Sequence, residues 1–327
     1  MRRELSCSRS ATFAMRGIAT LLVLAAVVSA GDRTPLRQGW SIQSSADVAD
    51  GGAMLSTAAY TPRNWYGATL PSTVLSALNA RVYLDPYVGM NLRSIAGTTY
   101  PIGFNFSNAP MPPDSPFRHS WWYRTQFDLP ASDRGKTVWL GFDGINFRMN
   151  VWLNGRQVAS ADHAAGAWRL FEFDITEMAK PGERNTLAIE VFPPQPHDLA
   201  ITFVDWNPQP PDKDMGIWRD VYLSTTGPVA LRYPAVTTTL NLPRTDEAQL
   251  AVRAELRNAS GREVVGTLRG KIESQTFSQT VALKPHEMRV VRMAPLKVAN
   301  PRLWWPAQTG PQNLYPLELA FDTGGQV

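Results

Sequence analysis

Between Trp121 and Pro193 the chain is written in a two-residue period. In WYRTQFDL (Trp122 to Leu129) large and polar residues alternate. TVWLGFDGI then places Val138, Leu140 and Phe142 on one face, and MNVWLNGRQVAS does the same with Met149, Val151 and Leu153. LFEFDIT and NTLAIEVFP follow, the second after a turn at Pro181-Gly182. Such alternation is the signature of half-buried strands, because successive side chains point to opposite faces of a sheet. Asn154-Gly155 sits between two of these runs. That dipeptide suits a two-residue hairpin turn, whose central residues both need positive φ. Strands this short and this regularly spaced predict a β-sandwich or jelly roll.

The region before Trp121 is less regular. PSTVLSALNA (Pro71 to Ala80) predicts one short helix with Val74, Leu75 and Leu78 on one side, and DPYVGMNL reads as a turn. Composition shifts at Thr225-Thr226-Gly227-Pro228. Beyond it AQLAVRAELRN, TLRGKIES, QTVAL, EMRVVRMAPLKV and YPLELAF are again strands. This second group spans about one hundred residues, the usual size of an immunoglobulin-like sandwich. A chain of 327 residues fits two domains. The expected fold is therefore all-β: a first sandwich over residues 31–227, and a second over 228–327.

Residues 1–30 have a different character. Arg2, Arg3, Arg9 and Arg16 lead into an apolar run from Ile18 to Val28, and Val28-Ser29-Ala30 offers a small-residue cleavage site. This is the layout of a secretory signal peptide, and the run is short for a membrane span. The expected location is secreted or periplasmic, with no membrane association after cleavage. The leader carries +3 of the formal +4 charge, so the remaining chain is near neutral. With no Lys/Arg cluster interleaved with aromatics, no nucleic-acid partner is expected. Cys7, the sole cysteine, is also in the leader, which excludes a disulfide scaffold and a thiol nucleophile.

Other chemistries lack their parts. The four histidines, 119, 163, 197 and 286, stand in no motif, and no Gly-x-Ser-x-Gly occurs. No His-x-His or His-Glu-x-x-His suggests a metal, and no glycine loop suggests a phosphate, so neither a metal nor a cofactor is expected. Asn-x-Ser occurs at Asn105 and Asn258 and matters only in a glycosylating host.

One stretch remains. Between Phe203 and Leu223 the chain reads FVDWNPQPPDKDMGIWRDVYL, a proline-rich loop that returns to a strand. Asp205 and Trp206 place a carboxylate beside a large aromatic. A sugar has a use for both: its C–H faces pack on a ring, and its paired hydroxyls bond to a charged acceptor. A loop on a rigid sheet is a usual place for binding groups. From the residues alone, the pair could equally cap a turn and fill a corner.

GIWRDVYL, preceded by VDWNPQPPDKDM, resembles the segment that closes the N-terminal sugar-binding domain of glycoside hydrolase family 2. Other pieces agree in order. LPSTVLSAL with LDPYVGMNL resembles the entry segment of that family's β-mannosidase and exo-β-glucosaminidase branch. SWWYRTQFDLP and LGFDGINFRMNVWLNGRQVA resemble its core strands. PRLWWPAQTGPQNLYPLELAF resembles the end of its immunoglobulin-like second domain. The form DWNPxPPDKDMGIWRDV is nearer to exo-β-D-glucosaminidases than to β-mannosidases or β-galactosidases.

The resemblance implies a jelly-roll (galactose-binding-like) β-sandwich followed by an immunoglobulin-like β-sandwich. It implies a retaining exo-β-glycosidase acting on chitosan oligosaccharides, whose loop from the first domain reaches the subsite for the terminal β-linked sugar. On that pattern Asp205 accepts sugar hydroxyls, Trp206 shapes the pocket, and Asn91, in the matching YVGMN turn, lies nearby. Arg219 and Asp220 are expected to pair within the sheet. The departure is large. A retaining glycosidase needs two carboxyl groups about 5–5.5 Å apart, and in this family both come from a (β/α)₈ barrel. That barrel is absent here and would be expected C-terminal of Val327. The expectation is an accessory portion with no catalytic residue of its own. The alternatives are a β-mannosidase or β-galactosidase fragment, a stand-alone carbohydrate-binding protein, and a structural two-sandwich protein.

Overall fold

The computed structural model describes residues 33–79, 81–86, 88–95, 111–201 and 210–324. The leader, Asn105, Asp205 and Trp206 lie outside the described residues. The architecture is all-β, a jelly-roll sandwich followed by an immunoglobulin-like one, with no barrel among the described residues.

Two sheets build the first sandwich. A four-stranded sheet runs in the order Thr34–Pro35, Val221–Thr226, Thr137–Phe142, Phe171–Asp174. A six-stranded sheet runs Tyr66–Ala68, Trp40–Ser44, Trp121–Asp128, Arg184–Phe192, Arg148–Leu153, Arg156–Ala159. The predicted alternation holds where one face meets the core: Val138, Leu140, Phe142, Met149, Val151 and Leu153 are all buried there. The largest wholly buried side chains include Tyr123, Phe117, Phe142 and Ile42, each burial favouring the fold by roughly 1.5–3 kcal/mol. Asn154 and Gly155 have φ of 50° and 87°, as the hairpin turn requires. The helix forms over Val74–Leu78, shorter than the motif suggested. Its start is set by Thr73, whose hydroxyl accepts from the Ser76 amide, and Val74, Leu75 and Leu78 are buried.

The second sandwich packs one sheet, in which Glu247–Asn258 lies between Val229–Leu240 and Met288–Arg292 and also pairs with Leu296–Ala299, on a second sheet of Gln275–Leu283, Val264–Ile272 and Leu317–Asp322. Alternation is strict in Glu247–Asn258. Its inward residues Leu250, Val252 and Leu256 meet Leu268, Leu283 and Phe321. Asn258 is itself buried, and its amide donates to the carbonyls of Arg262 and Lys284, so the Asn-x-Ser there is a structural turn.

The sandwiches join through an ion cluster. Glu172 accepts from Arg232 Nε at 2.9 Å and from Arg257 Nη1 at 3.1 Å, with its side chain only 5% exposed. Arg257 also bonds Glu255.

Candidate functional site

The loop that carries Asp205 and Trp206 leaves the described structure after Ile201 and returns at Pro210. Its two roots converge on one buried side chain. Asn146, with no exposed surface, accepts from the Ile201 amide at 3.3 Å on the outgoing side. Its side-chain nitrogen donates to the carbonyls of Lys213 at 3.0 Å and Asp214 at 3.1 Å on the returning side. Its backbone exchanges two bonds with Gly216, at 2.8 and 2.9 Å. A neutral amide suits this place because it can donate and accept at once without the desolvation cost of a charge.

The returning root is tied a second time. The carboxylate of Asp212, 1% exposed, accepts from the Leu75 amide at 2.8 Å and the Asp214 amide at 3.0 Å. Thr73 supplies a further side-chain hydrogen bond to it. Burial pushes Asp212 up to about 6, with the backbone bond from Leu75 pulling the other way. Burial also raises Asp214 and lowers Lys213. Backbone bonds complete the join: the Val74 amide donates to Met215 O at 2.8 Å, and Gly216–Ile217 pairs with Ser72–Thr73.

This geometry explains the glycine of Gly-Ile-Trp-Arg. Gly216 has φ of +146°, and a Cβ there would stand 2.7 Å from Thr73 Cα and 2.8 Å from Ser72 O. Neither backbone atom can move aside, so only glycine fits. Lys213 and Asp214 are consecutive left-handed residues at φ of 50° and 56°, a costly arrangement that persists when its surroundings over-determine it.

Asn91 opens a short 3₁₀ turn, Asn91–Ser94. Its amide donates to Asp85 O at 3.0 Å and its carbonyl accepts from the Ser94 hydroxyl. Its side-chain donor therefore closes the turn read from the sequence, and Leu84, Val88 and Met90, near it in the chain, are exposed. Asp220 pairs not within the sheet but with Arg37, both residues lying in the connections that flank strands, at 3.0 Å. Arg219 instead lies against the Trp218 ring, 5.0 Å from its centroid. Trp218 in turn donates to Ala167 O and meets the exposed Trp168 edge to face.

Sequence reasoning assigned no role to Asn146 or Asp212. Their importance lies in partners far along the chain, which no local pattern reveals. Among the described residues no group of His, Cys, Asp or Glu side chains could hold a metal ion, and no helix is long and apolar enough to cross a membrane.

Comparison with known proteins decides the family. Residues 115–203 match the glycosyl hydrolase 2 galactose-binding domain-like family, and residues 229–327 match glycosyl hydrolases family 2. The chain belongs to glycoside hydrolase family 2. It is 37% identical to an exo-β-D-glucosaminidase of Streptomyces avermitilis over 91% of its own length and 32% of that protein's. To an exo-β-D-glucosaminidase of Amycolatopsis orientalis it is 34% identical, over 98% of this chain and 29% of that one. The crystal structure of the Amycolatopsis orientalis exo-chitosanase CsxA superposes with a TM-score of 0.79 at 34% identity, covering 90% of this chain and 32% of that one. The chain thus spans about a third of the relatives it matches.

Proposed function

We propose that this chain is the N-terminal accessory portion of an exported, retaining exo-β-glycosidase of the exo-β-D-glucosaminidase type, acting on chitosan oligosaccharides. It divides into a leader, a sugar-binding sandwich to residue 227 and an immunoglobulin-like sandwich beyond. Its part in the reaction is to present Asp205 and Trp206 to the terminal sugar, the carboxylate accepting ring hydroxyls and the indole walling the pocket. Asn91 contributes mainly by fixing its own turn.

The observation that carries this reading is the neck. A loop bearing an acid and an indole is held at both roots by a buried asparagine, and its return by a buried aspartate. Holding a binding group in place before the ligand arrives removes part of the ordering cost of binding. The neck carboxylate is not itself catalytic material: Asp212 has both oxygens occupied and is buried, so it cannot reach a sugar. The two carboxyls of the reaction would come from the remainder of the full-length enzyme.

A chimera tests the proposal. This chain, joined to the remaining two-thirds of the Amycolatopsis orientalis enzyme in place of that enzyme's own N-terminal part, is expected to release glucosamine from chitosan oligomers. The chain alone is expected to release none. Asp205→Ala in the chimera is expected to lower kcat/KM by about a hundredfold, the scale of losing a charge-assisted pair of hydrogen bonds at a desolvated site. Hydrolysis by the chain alone, or an Asp205→Ala chimera with undiminished activity, would overturn it.

A further inference from the structure

The middle of the four-stranded sheet's outer face meets the second sandwich, whose Arg232 lies over the Trp139 ring and bonds Glu172. On Val221–Thr226 the core takes Val221 and Leu223, so Tyr222 and Ser224 alternate to the outer face. Across the ladder that face continues through Gly141 and Glu172 beside Tyr222, and through Trp139 beside Ser224. Tyr222 lies flat over Gly141, where a Cβ would stand 2.1 Å from its ring. Where this face meets the second sandwich there is a cleft of about 350 Å³, lined by Arg33, Tyr222 and Ser224 on one side and Arg232, Tyr233 and Leu319 on the other.

Two polar atoms of this lining are buried without a partner among the described residues: Ser224 Oγ and Arg232 Nη2. The rest of the Arg232 guanidinium is engaged, Nε by Glu172 and Nη1 by Leu231 O. Buried donors and acceptors are ordinarily satisfied, so an orphan pair beside a cleft marks a place for a hydrogen-bonding guest.

The charges decide what kind of guest. Each ion facing the cleft already has its opposite: Arg33 bonds Asp143, and Arg232 and Arg257 share Glu172, with Glu255 completing the set. An added carboxylate or phosphate would stand unneutralised beside Glu172, and an added ammonium beside the arginines. Tyr222 stays a neutral phenol, because burial pushes it up to about 12 even though Arg33 pulls it down. What the cleft offers is a donor and a hydroxyl next to the apolar surfaces of Tyr233 and Leu319. A sugar ring presents hydroxyls to the first pair and C–H faces to the second. The volume suits a small ligand, and the ion cluster holds both walls in place beforehand.

We infer that the cleft between the two sandwiches is a binding site for a neutral polyhydroxylated ligand of monosaccharide size. It shares no residue with the Asn146 neck, and it stands whether or not the Asp205 loop meets a substrate. Saturation-transfer NMR on this chain, with D-glucose at millimolar concentration as probe, tests it. Transfer to glucose is expected, with gluconate failing to compete. Ser224→Ala is expected to weaken binding about fivefold, the value of one net hydrogen bond. Tyr233→Ala, a change at a half-exposed ring, is expected to weaken it as well, while Asp205→Ala leaves it unchanged. Absence of transfer, transfer that survives both cleft variants, or transfer lost in Asp205→Ala would each overturn the inference. So would a glucose-soaked crystal with only water on Ser224 Oγ and Arg232 Nη2.

Discussion

The molecule solves one problem twice, with different chemistry. At the loop neck, chain segments far apart in sequence are joined by a buried neutral amide and a lone carboxylate that accepts backbone amides. At the junction between sandwiches, distant segments are joined by an acid shared between two guanidinium groups. The neck depends on backbone partners, so it is sensitive to shape. The junction depends on paired charge, so it is sensitive to the loss of one partner. A neutral clamp suits a place where each donor and acceptor is a peptide group. An ionic clamp suits one where two independently folded surfaces must find one orientation, although a buried pair is weak evidence for net stability.

The contrast can be broken in graded ways. Gly216→Ala is expected to cost the most, about 4 kcal/mol in denaturant titration, since the new methyl meets fixed backbone at 2.7 Å and φ stays positive. Glu172→Gln follows at about 3 kcal/mol, because the largely buried Arg232 loses its counter-charge and Arg257 is left with Glu255 alone. In calorimetry a single transition is expected to split into two, one for each sandwich. A transition that stays single would show that the ion cluster does not couple them. Asn146→Ala is expected to cost about 2 kcal/mol. Amide exchange should rise at Ile201 and at 213–216 but not in the second sandwich. Uniformly faster exchange would deny the neck its local character.

A pH titration separates the two clamps further. Asp212 is pushed from an ordinary 3.8 up to about 6 by burial. Its raised value means the folded state holds a proton the unfolded chain has released. Its contribution is therefore full below about pH 4 and lost as pH rises through 6, on the order of 3 kcal/mol. Asp214, raised by burial too, adds in the same direction. Asp212→Asn should flatten stability between pH 4 and 6, and an unchanged slope would place the titration elsewhere. The smallest effect is expected from Asp205→Ala, within about 0.5 kcal/mol of the parent for a ligand-facing side chain. A large loss would move Asp205 from binding to structure.

Much of this was legible. The strands between Trp121 and Phe192 announce themselves by large apolar residues at every second position, although Trp121–Asp128, Thr137–Phe142 and Arg184–Phe192 are buried on both faces for much of their length, and Asn154-Gly155 because its turn demands positive φ. Val229–Leu240 did not. Half of its residues are exposed and only Ala230 is buried, Pro234 interrupts it, and its register slips between Arg232 and Ala235. Trp40–Ser44 also alternates, Trp-Ser-Ile-Gln-Ser, but with only two apolar residues the pattern is too short to stand out. At the site, the loop stood out by composition, while its clamps did not. Asn146 reads like any polar residue at a strand end, and Asp212 like one acid among several. Arg232 and Glu172 become a pair only when two sandwiches meet.

The closure of the neck also makes the first sandwich a natural host for grafting. Among the described residues, the bonds that shut it belong to Asn146, Ile201 and the 212–216 return. Entropy changes slowly with loop length once the ends are held. A cassette inserted between those ends is therefore expected to vary in size and chemistry at little cost to the clamps beneath it, which a melting-temperature series over insert length would check.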